Sequence, residues 1–201
     1  DCVSTNHTSF FREQSTFEYL LTEILPLYKD SSEVRFWSAA CSSGEEVFSI
    51  AMLLADYFDI TNLQGRFSIL GTDISSKVIK QAELSIYDRR RISSAPLVYR
   101  QNYIKPVGLG QYTIIKTLKD ICAFRRLNLV SRPWPFKKMF DIIFCRNVFY
   151  YFDRNNMVDI AERMYDTTAP GGWLITSANE SLRDCNTRWE IVYPTIYRKK
   201  A

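Results

Sequence analysis

Apolar residues change their spacing repeatedly along this chain, and each change marks an element. Phe17, Leu20, Leu21, Ile24 and Leu25 recur at helical spacing, which predicts a first helix over about Ser9–Tyr28 with Pro26 kinking its end. Val34–Ala40 reads as a strand, and Gly44 opens a helix carrying Ile50, Leu53, Leu54 and Phe58. Phe67–Thr72 is a second strand, after which Ser75 is placed to N-cap a helix over Lys77–Leu84. From Tyr87 to Lys119 the pattern blurs. Pro96, Pro106, Gly108 and Gly110 punctuate it, and Gln111–Thr117 reads as a strand within an irregular insertion. Cys122–Asn128 and Met139–Cys145 are strands. A helix over about Arg154–Thr168 follows, ended by Pro170-Gly171-Gly172, then a strand over Trp173–Ser177. Trp189–Tyr197 reads as two short strands around Pro194. Strands alternating with helices predict an α/β fold with a mainly parallel sheet, and the last pair, with no helix between, predicts an antiparallel edge.

Composition narrows the class without deciding it. The 201 residues suffice for one α/β domain with a sizeable core, and the expectation is a single domain over 1–201 with an insertion at about 87–119. A net charge of +4 permits an acidic partner and does not demand nucleic acid; no motif interleaves basic and aromatic residues as such modules do. No apolar run reaches spanning length and no signal peptide opens the chain, so neither membrane insertion nor export is expected. Cys2, Cys41, Cys122, Cys145 and Cys185 are odd in number and form no CxxC pair, which fits a reducing cytoplasm better than a disulfide framework or a zinc site. His7 is the single histidine and argues against a His-based triad or metal centre. The chain opens on Asp1, which suggests a domain cut from a longer protein.

Candidate chemistry gathers at strand ends. Ile142–Cys145 is the apolar run of a fully buried strand, and Arg146 and Asn147 follow at once. In open α/β sheets the carboxyl ends of strands form the ligand crevice. The turn after the first strand, Trp37-Ser-Ala-Ala-Cys-Ser-Ser-Gly-Glu-Glu46, is built of small residues that let backbone approach a ligand, yet it has neither the dinucleotide glycine pattern nor a Walker lysine. Glu45 and Glu46 stand where a phosphate would bind at the helix N-terminus. They suit a cationic ligand, or only complement the helix dipole. Asp73 ends the second strand, placed to take ribose hydroxyls or to serve as a turn residue. Asn128 is a further crevice candidate. A ribose acceptor and carboxylates without phosphate binders favour S-adenosylmethionine over NAD or ATP.

Four segments then carry a resemblance. Ser4–Glu13 (STNHTSFFRE), Trp37–Glu46, Gly71-Thr-Asp-Ile74 and Phe144–Asp153 (FCRNVFYYFD) resemble, in order, the motifs of the CheR family of chemotaxis-receptor glutamate methyltransferases. The resemblance implies a Rossmann-like class I methyltransferase using S-adenosylmethionine and releasing S-adenosylhomocysteine. It implies that Asn6, Thr8 and Arg12 contact cofactor or line the transfer site, that Glu46 holds the cofactor, and that Asp73 takes the ribose. Asn128 and Leu129 lie beside the adenine, Arg146 and Asn147 close the methionine end, and Tyr151 stands near the methyl group. Arg12 and Tyr151 are the catalytic candidates. Methyl transfer to an already ionised glutamate needs alignment and exclusion of water rather than a general base, and a guanidinium can grip the acceptor carboxylate bidentately.

Departures bear on the partner more than on the cofactor. The family's usual N-terminal helical domain has no counterpart in the sequence. The hairpin that docks a receptor-tail peptide in some members falls within Tyr99–Lys119, without the expected glycine-rich opening. Val47-Phe48 replaces a Pro-Tyr pair, and Ala178-Asn179-Glu180 replaces His-Ser-Glu. The expected partner is a chemoreceptor or related signalling protein presenting an acidic helix, met by a monomer through Arg89–Arg91 or Arg125-Arg126. A regulatory module that binds S-adenosylmethionine without catalysis, or a methyltransferase acting on a small-molecule acid, are the alternatives.

Overall fold

The computed structural model describes residues 8–200. Its first helical stretch starts later than the spacing predicts. It runs as α1 (Gln14–Tyr19), a wide π turn over Leu20–Ile24, and a tight 3-10 turn over Leu25–Tyr28. Phe11 and Glu13 take left-handed backbone angles (φ 53° and 58°), which bars helix before Gln14. Pro26 has no N–H to give, so the hydrogen-bond spacing widens before it and tightens after it.

The central sheet has seven strands. They are β1 (Val34–Ala39), β2 (Phe67–Asp73), β6 (Cys122–Arg126), β7 (Phe140–Phe144), β8 (Thr168–Ile175), β9 (Glu190–Tyr193) and β10 (Ile196–Arg198), with β3, β4 and β5 left to the insertion. The order is β6-β2-β1-β7-β8-β10-β9. The pairings among β6, β2, β1, β7 and β8 are parallel, and β10 lies antiparallel to both β8 and β9. The chain winds outward from β1 toward β2 and β6, then returns to lay β7 on its other flank. That reversal places the crevice at the carboxyl ends of β1 and β7.

Period-two alternation divides the core between the two sheet faces. Phe36, Ile142, Phe144, Trp173 and Ile175 pack on one face with α2 (Glu45–Phe58) and the first helical stretch. Trp37, Ile143, Cys145, Leu174 and Tyr197 pack on the other, with Met164 and Ile160 of α7 (Arg154–Thr167). Gly71 of β2 has to be small: a Cβ there would stand 2.7 Å from Phe124 and 2.9 Å from Val47.

The insertion is ordered. After α3 (Ser76–Leu84) come β3 (Ile86–Asp88), α4 (Arg89–Ile92), α5 (Leu97–Tyr103), β4 (Ile104–Gly108), β5 (Gln111–Ile114) and α6 (Lys116–Asp120). The expected strand at Gln111 ends at Ile114, and it gains two antiparallel partners, β3 and β4. Two other expectations shift. Ser75 occupies the N-cap of α3 without a side-chain cap. Pro170-Gly171-Gly172 does not end α7. The helix stops at Thr167, where Thr167 and Thr168 turn their hydroxyls back on Met164, and the Pro-Gly-Gly run belongs to β8, where its register with β7 shifts.

Candidate functional site

Three strand ends supply the site. After β1 the chain turns sharply: Ala40, Ser42 and Gly44 all have positive φ (83°, 49° and 93°). Ala40 and Cys41 donate their N–H groups to Thr72 O, which fastens the turn to β2. Asp73, at the end of β2, accepts from Ser42 N at 3.0 Å and Ser75 N at 2.9 Å. Burial pushes its pKa up, and those backbone donors pull it back. The Ser42 hydroxyl beside it is buried and has no hydrogen-bond partner. The turn thus holds a half-buried carboxylate and an unused hydroxyl side by side.

Arg146 joins two of the strand ends. Its side chain is 1% exposed. One nitrogen meets Glu46 Oε2 at 3.0 Å, and the other donates to the Arg12 carbonyl at 2.6 Å and meets Glu13 Oε2 at 3.2 Å. The guanidinium also lies 5.7 Å from the centre of the Phe17 ring. Glu46 in turn accepts from the Ser38 hydroxyl of β1 at 2.8 Å. The Arg146 side chain is thus engaged throughout in this junction, at the carboxyl end of β7. Asn147 takes a left-handed φ of 57°, which asparagine tolerates. Its N–H donates to Glu180 Oε2 at 2.6 Å, and Phe149 N–H donates to Glu180 Oε1 at 2.7 Å. Glu180, 3% exposed, therefore pins the turn after β7.

Arg12 is exposed, on a segment held at both sides. Phe11 N–H donates to Ser49 Oγ at 3.0 Å and its ring stacks on Tyr99; Glu13 is held by Arg146. Left-handed residues on both sides of Arg12 are sustained by these contacts. Tyr151 sits in a short turn, Phe149–Tyr151, half exposed, with its ring centre 4.3 Å from that of Tyr150. The positive charge of Arg12 reaches Tyr150, whose pKa is nonetheless pushed up to about 12, chiefly by its hydrogen bond with Tyr151.

The remaining candidates divide. Leu127 N–H donates to Asp73 O, so Asn128 and Leu129, which follow β6, lie alongside the carboxyl end of β2. Leu129 is buried in the cluster that includes Trp37 and Ala39; Asn128 is exposed and accepts from Val130 N. Thr8 is half buried, and Asn6 lies outside the described residues. Arg12, Glu46, Arg146 and Asn147 form one connected group, with Asp73 reached through the β1 turn. Glu13, Ser38, Ser42 and Glu180 belong to it and were not singled out as site residues. Glu13 closes the first of the family-like segments and Glu180 closes Ala178-Asn179-Glu180, but their contacts with Arg146 and Asn147 arise only in the fold. A surface groove of about 420 Å³ lies at the opposite end of the strands, lined by Glu33, Arg35, Arg66 and Asp120, and contains none of these groups.

Comparison with known proteins now decides the family. Residues 6–197 match the family described as CheR methyltransferase, SAM binding domain. The chain belongs to the CheR methyltransferase family. The chemotaxis protein methyltransferase of Borreliella burgdorferi is 37% identical over 205 residues, covering 99% of this chain and 72% of that protein. Chemotaxis protein methyltransferase 1 of Pseudomonas aeruginosa is 35% identical over 210 residues, covering all of this chain and 76% of that protein. Magnesium protoporphyrin IX methyltransferase (ChlM) of Synechocystis PCC 6803, solved with bound SAM, superposes with a TM-score of 0.52 at 11% identity, covering 94% of this chain and 80% of that one. That likeness shows the fold. The chain is an S-adenosylmethionine-dependent methyltransferase of the Rossmann-like class I type. The CheR-family site suits that cofactor: small residues and left-handed turns after β1, the Asp73 carboxylate, and the unpartnered Ser42 hydroxyl. Carboxylates at the start of α2 disfavour a pyrophosphate there.

Proposed function

We propose that this chain methylates glutamate side chains of a chemoreceptor or a related signalling protein, giving glutamate methyl esters. The junction at Arg146 carries the reading. A single buried guanidinium ties Glu46, at the cofactor turn, to the backbone of Arg12. Cofactor holding and acceptor gripping then share one rigid support, as a reaction governed by alignment requires. The names of the Borreliella and Pseudomonas relatives point to the same pathway.

In this reading Asp73 takes the ribose hydroxyls, Glu46 and the β1 turn hold the cofactor, and Asn128 and Leu129 flank the adenine. The turn at Arg146-Asn147 closes the methionine end, with Asn6 and Thr8 on the side of the Arg12 segment. S-adenosylmethionine supplies, when bound, a methyl group on a sulfonium cation. The acceptor carboxylate is ionised near neutral pH, so no side chain has to remove a proton. Arg12 orients that carboxylate with its planar fork. Tyr150 and Tyr151 wall the open side and limit water. Burial pushes the Cys41 and Cys145 thiols well up, so they stay protonated and take no part.

The described residues include no helix long and apolar enough to cross a membrane. The proposed setting is the cytoplasm, with the chain acting as one monomeric methyltransferase unit. Arg89, Arg90, Arg125 and Arg126 are exposed and would face an acidic receptor helix, so receptor association should weaken steeply with salt.

Transfer is tested with a radiolabelled methyl donor and receptor fragments, followed by base treatment. Release of volatile methanol is the expected result; label that resists base, or tight cofactor binding with no transfer to any receptor, sinks the proposal. Arg12→Ala should lower transfer by roughly 100-fold while S-adenosylhomocysteine affinity changes far less. Lys should rescue poorly, because a point charge lacks the fork. Full turnover in Arg12→Ala would make Arg12 structural.

A further inference from the structure

Glu45 is fully buried, and its charge is met from the insertion. Arg91 of α4 donates to Glu45 Oε1 at 3.0 Å and to the Ser43 hydroxyl at 2.8 Å. The Ser43 hydroxyl donates to Glu45 Oε2 at 2.8 Å, closing a ring of three groups. Tyr87 of β3, buried, donates its hydroxyl to the Ser43 carbonyl at 2.8 Å. Two insertion side chains therefore grip one residue of the cofactor turn, from its hydroxyl and from its carbonyl. The same helical turn holds the other half of the site. The Ser94 hydroxyl donates to Arg91 O at 2.9 Å and accepts from Phe10 N–H at 3.1 Å, two residues before Arg12. The Phe10 ring meets the edge of Tyr87 at 5.1 Å.

We infer that Arg91, seconded by Tyr87, is a positioning residue that sets the shape of the Ser42–Gly44 turn and thereby the affinity for S-adenosylmethionine. The turn passes through left-handed angles at Ala40, Ser42 and Gly44, a path that small residues do not hold by themselves. Bonds from Ala40, Cys41 and Ser42 fasten it to β2, and Ser43 is the point at which the insertion fastens it. Arg91 is thus withdrawn from the basic run Arg89–Arg91, where a solvated surface charge would be the plain reading. All three arginines are exposed, but the Arg91 guanidinium reaches in to a buried carboxylate 46 positions earlier.

The inference rests on the assignment of the β1 turn to the cofactor, so the experiment separates the two. S-adenosylhomocysteine binding is measured by calorimetry on the full chain for Arg91→Ala, Arg91→Lys, Tyr87→Phe and Asp73→Ala, with thermal melting and far-UV circular dichroism on each. Arg91→Ala should raise the Kd roughly tenfold, the loss of a charge-assisted pair. Arg91→Lys should recover most of it, and Tyr87→Phe, which removes only a hydroxyl, should raise Kd a few-fold. In steady-state assays the KM for the methyl donor should rise while kcat at saturation holds, a split that mere loss of folded protein does not produce. If Asp73→Ala weakens binding but Arg91→Ala and Tyr87→Phe leave Kd within twofold, the inference is overturned and the site assignment stands. If none of the variants moves Kd, the assignment of the turn itself fails. Should Arg91→Ala not fold, Arg91→Lys and Tyr87→Phe carry the decision.

Discussion

Glu45 and Glu46 are neighbours in sequence and opposites in structure. Glu45 points to the insertion, where Arg91, itself 42% exposed, reaches in to meet it. Glu46 points to the central sheet, where Arg146 is 1% exposed and also holds Glu13 and the Arg12 carbonyl. In the first pair the acid is the buried member, and in the second it is the base. The distinction matters because a buried charge left without its partner costs far more than an exposed one. Losing Arg146 sets two carboxylates, Glu46 and Glu13, against each other with no counter-charge. Losing Arg91 leaves the fully buried Glu45 without its ion-pair partner, and that carboxyl, whose pKa burial already raises, can be neutralised by a proton while the turn geometry changes. One helix start thus makes two ties: Glu46 links the β1 turn to the Arg12 segment through Arg146, and Glu45 links that turn to the insertion through Arg91.

The sharpest way to break the contrast is Arg146→Ala. It leaves Glu46 and Glu13 facing each other without a counter-charge and strips the Arg12 carbonyl of its donor. The expected loss is about 3–5 kcal/mol of folding stability by urea denaturation. Methyl transfer should vanish even in the cold, where the variant stays folded. A loss below about 1 kcal/mol would mean that the junction is solvated in solution and that the contrast with Arg91 is unreal.

A milder exchange compares the two acids directly. Glu46→Gln keeps the shape of its side chain and the bond to Ser38, but removes the charge facing Arg146. It should weaken S-adenosylhomocysteine binding by about 1–3 kcal/mol and also lower kcat, since the Arg12 segment shares that support. Glu45→Gln should act on binding alone and by less. Calorimetry with parallel turnover measurements decides it; equal effects on kcat from both variants would erase the division of labour.

The sheet was legible because its signal is dense. Ile142–Cys145 is apolar at each position since the strand is covered on both faces, and Arg146-Asn147 follows where the strand ends. The β1 turn was legible from its run of small residues. What stayed hidden depends on groups far apart in sequence. Arg91 reads as part of a charge run because its partner lies 46 positions away, and the Arg146–Glu13 pair spans 133 positions (146 − 13). The insertion failed for a different reason. Its strands have three to five residues, and four of the five in β4 are exposed, so no alternation develops. Helix boundaries failed where backbone angles decide them. Nothing in the Phe11–Glu13 sequence announces two left-handed residues, and Pro170-Gly171-Gly172 looks like a helix stop although a Cβ on Gly172 would crowd Asp141 O at 2.7 Å inside a strand.

The smallest expected effect concerns protons on the Glu45 side. Burial raises the pKa of Glu45 above its ordinary 4.5, and the bonds from Ser43 and Arg91 pull it back only in part. The sign follows from proton counting. Below 4.5 the carboxyl is protonated in folded and unfolded chains alike, and its contribution to stability is fully present. As pH rises past that value the unfolded chain releases the proton first, so the folded state holds more protons and loses stability until its own raised pKa is passed. Glu45→Gln cannot titrate. Asp73, also raised by burial, drifts in the same direction but is common to both proteins and cancels in their difference. The stability of wild type minus that of Glu45→Gln, from urea curves between about pH 4 and about pH 8, should therefore decline through the raised interval and then level off. A difference that grows with pH would mean that Arg91 stabilises the ionised carboxylate by more than burial costs. The Arg91 arm would then be as strong an ionic junction as Arg146, and the contrast between the two glutamates would fall.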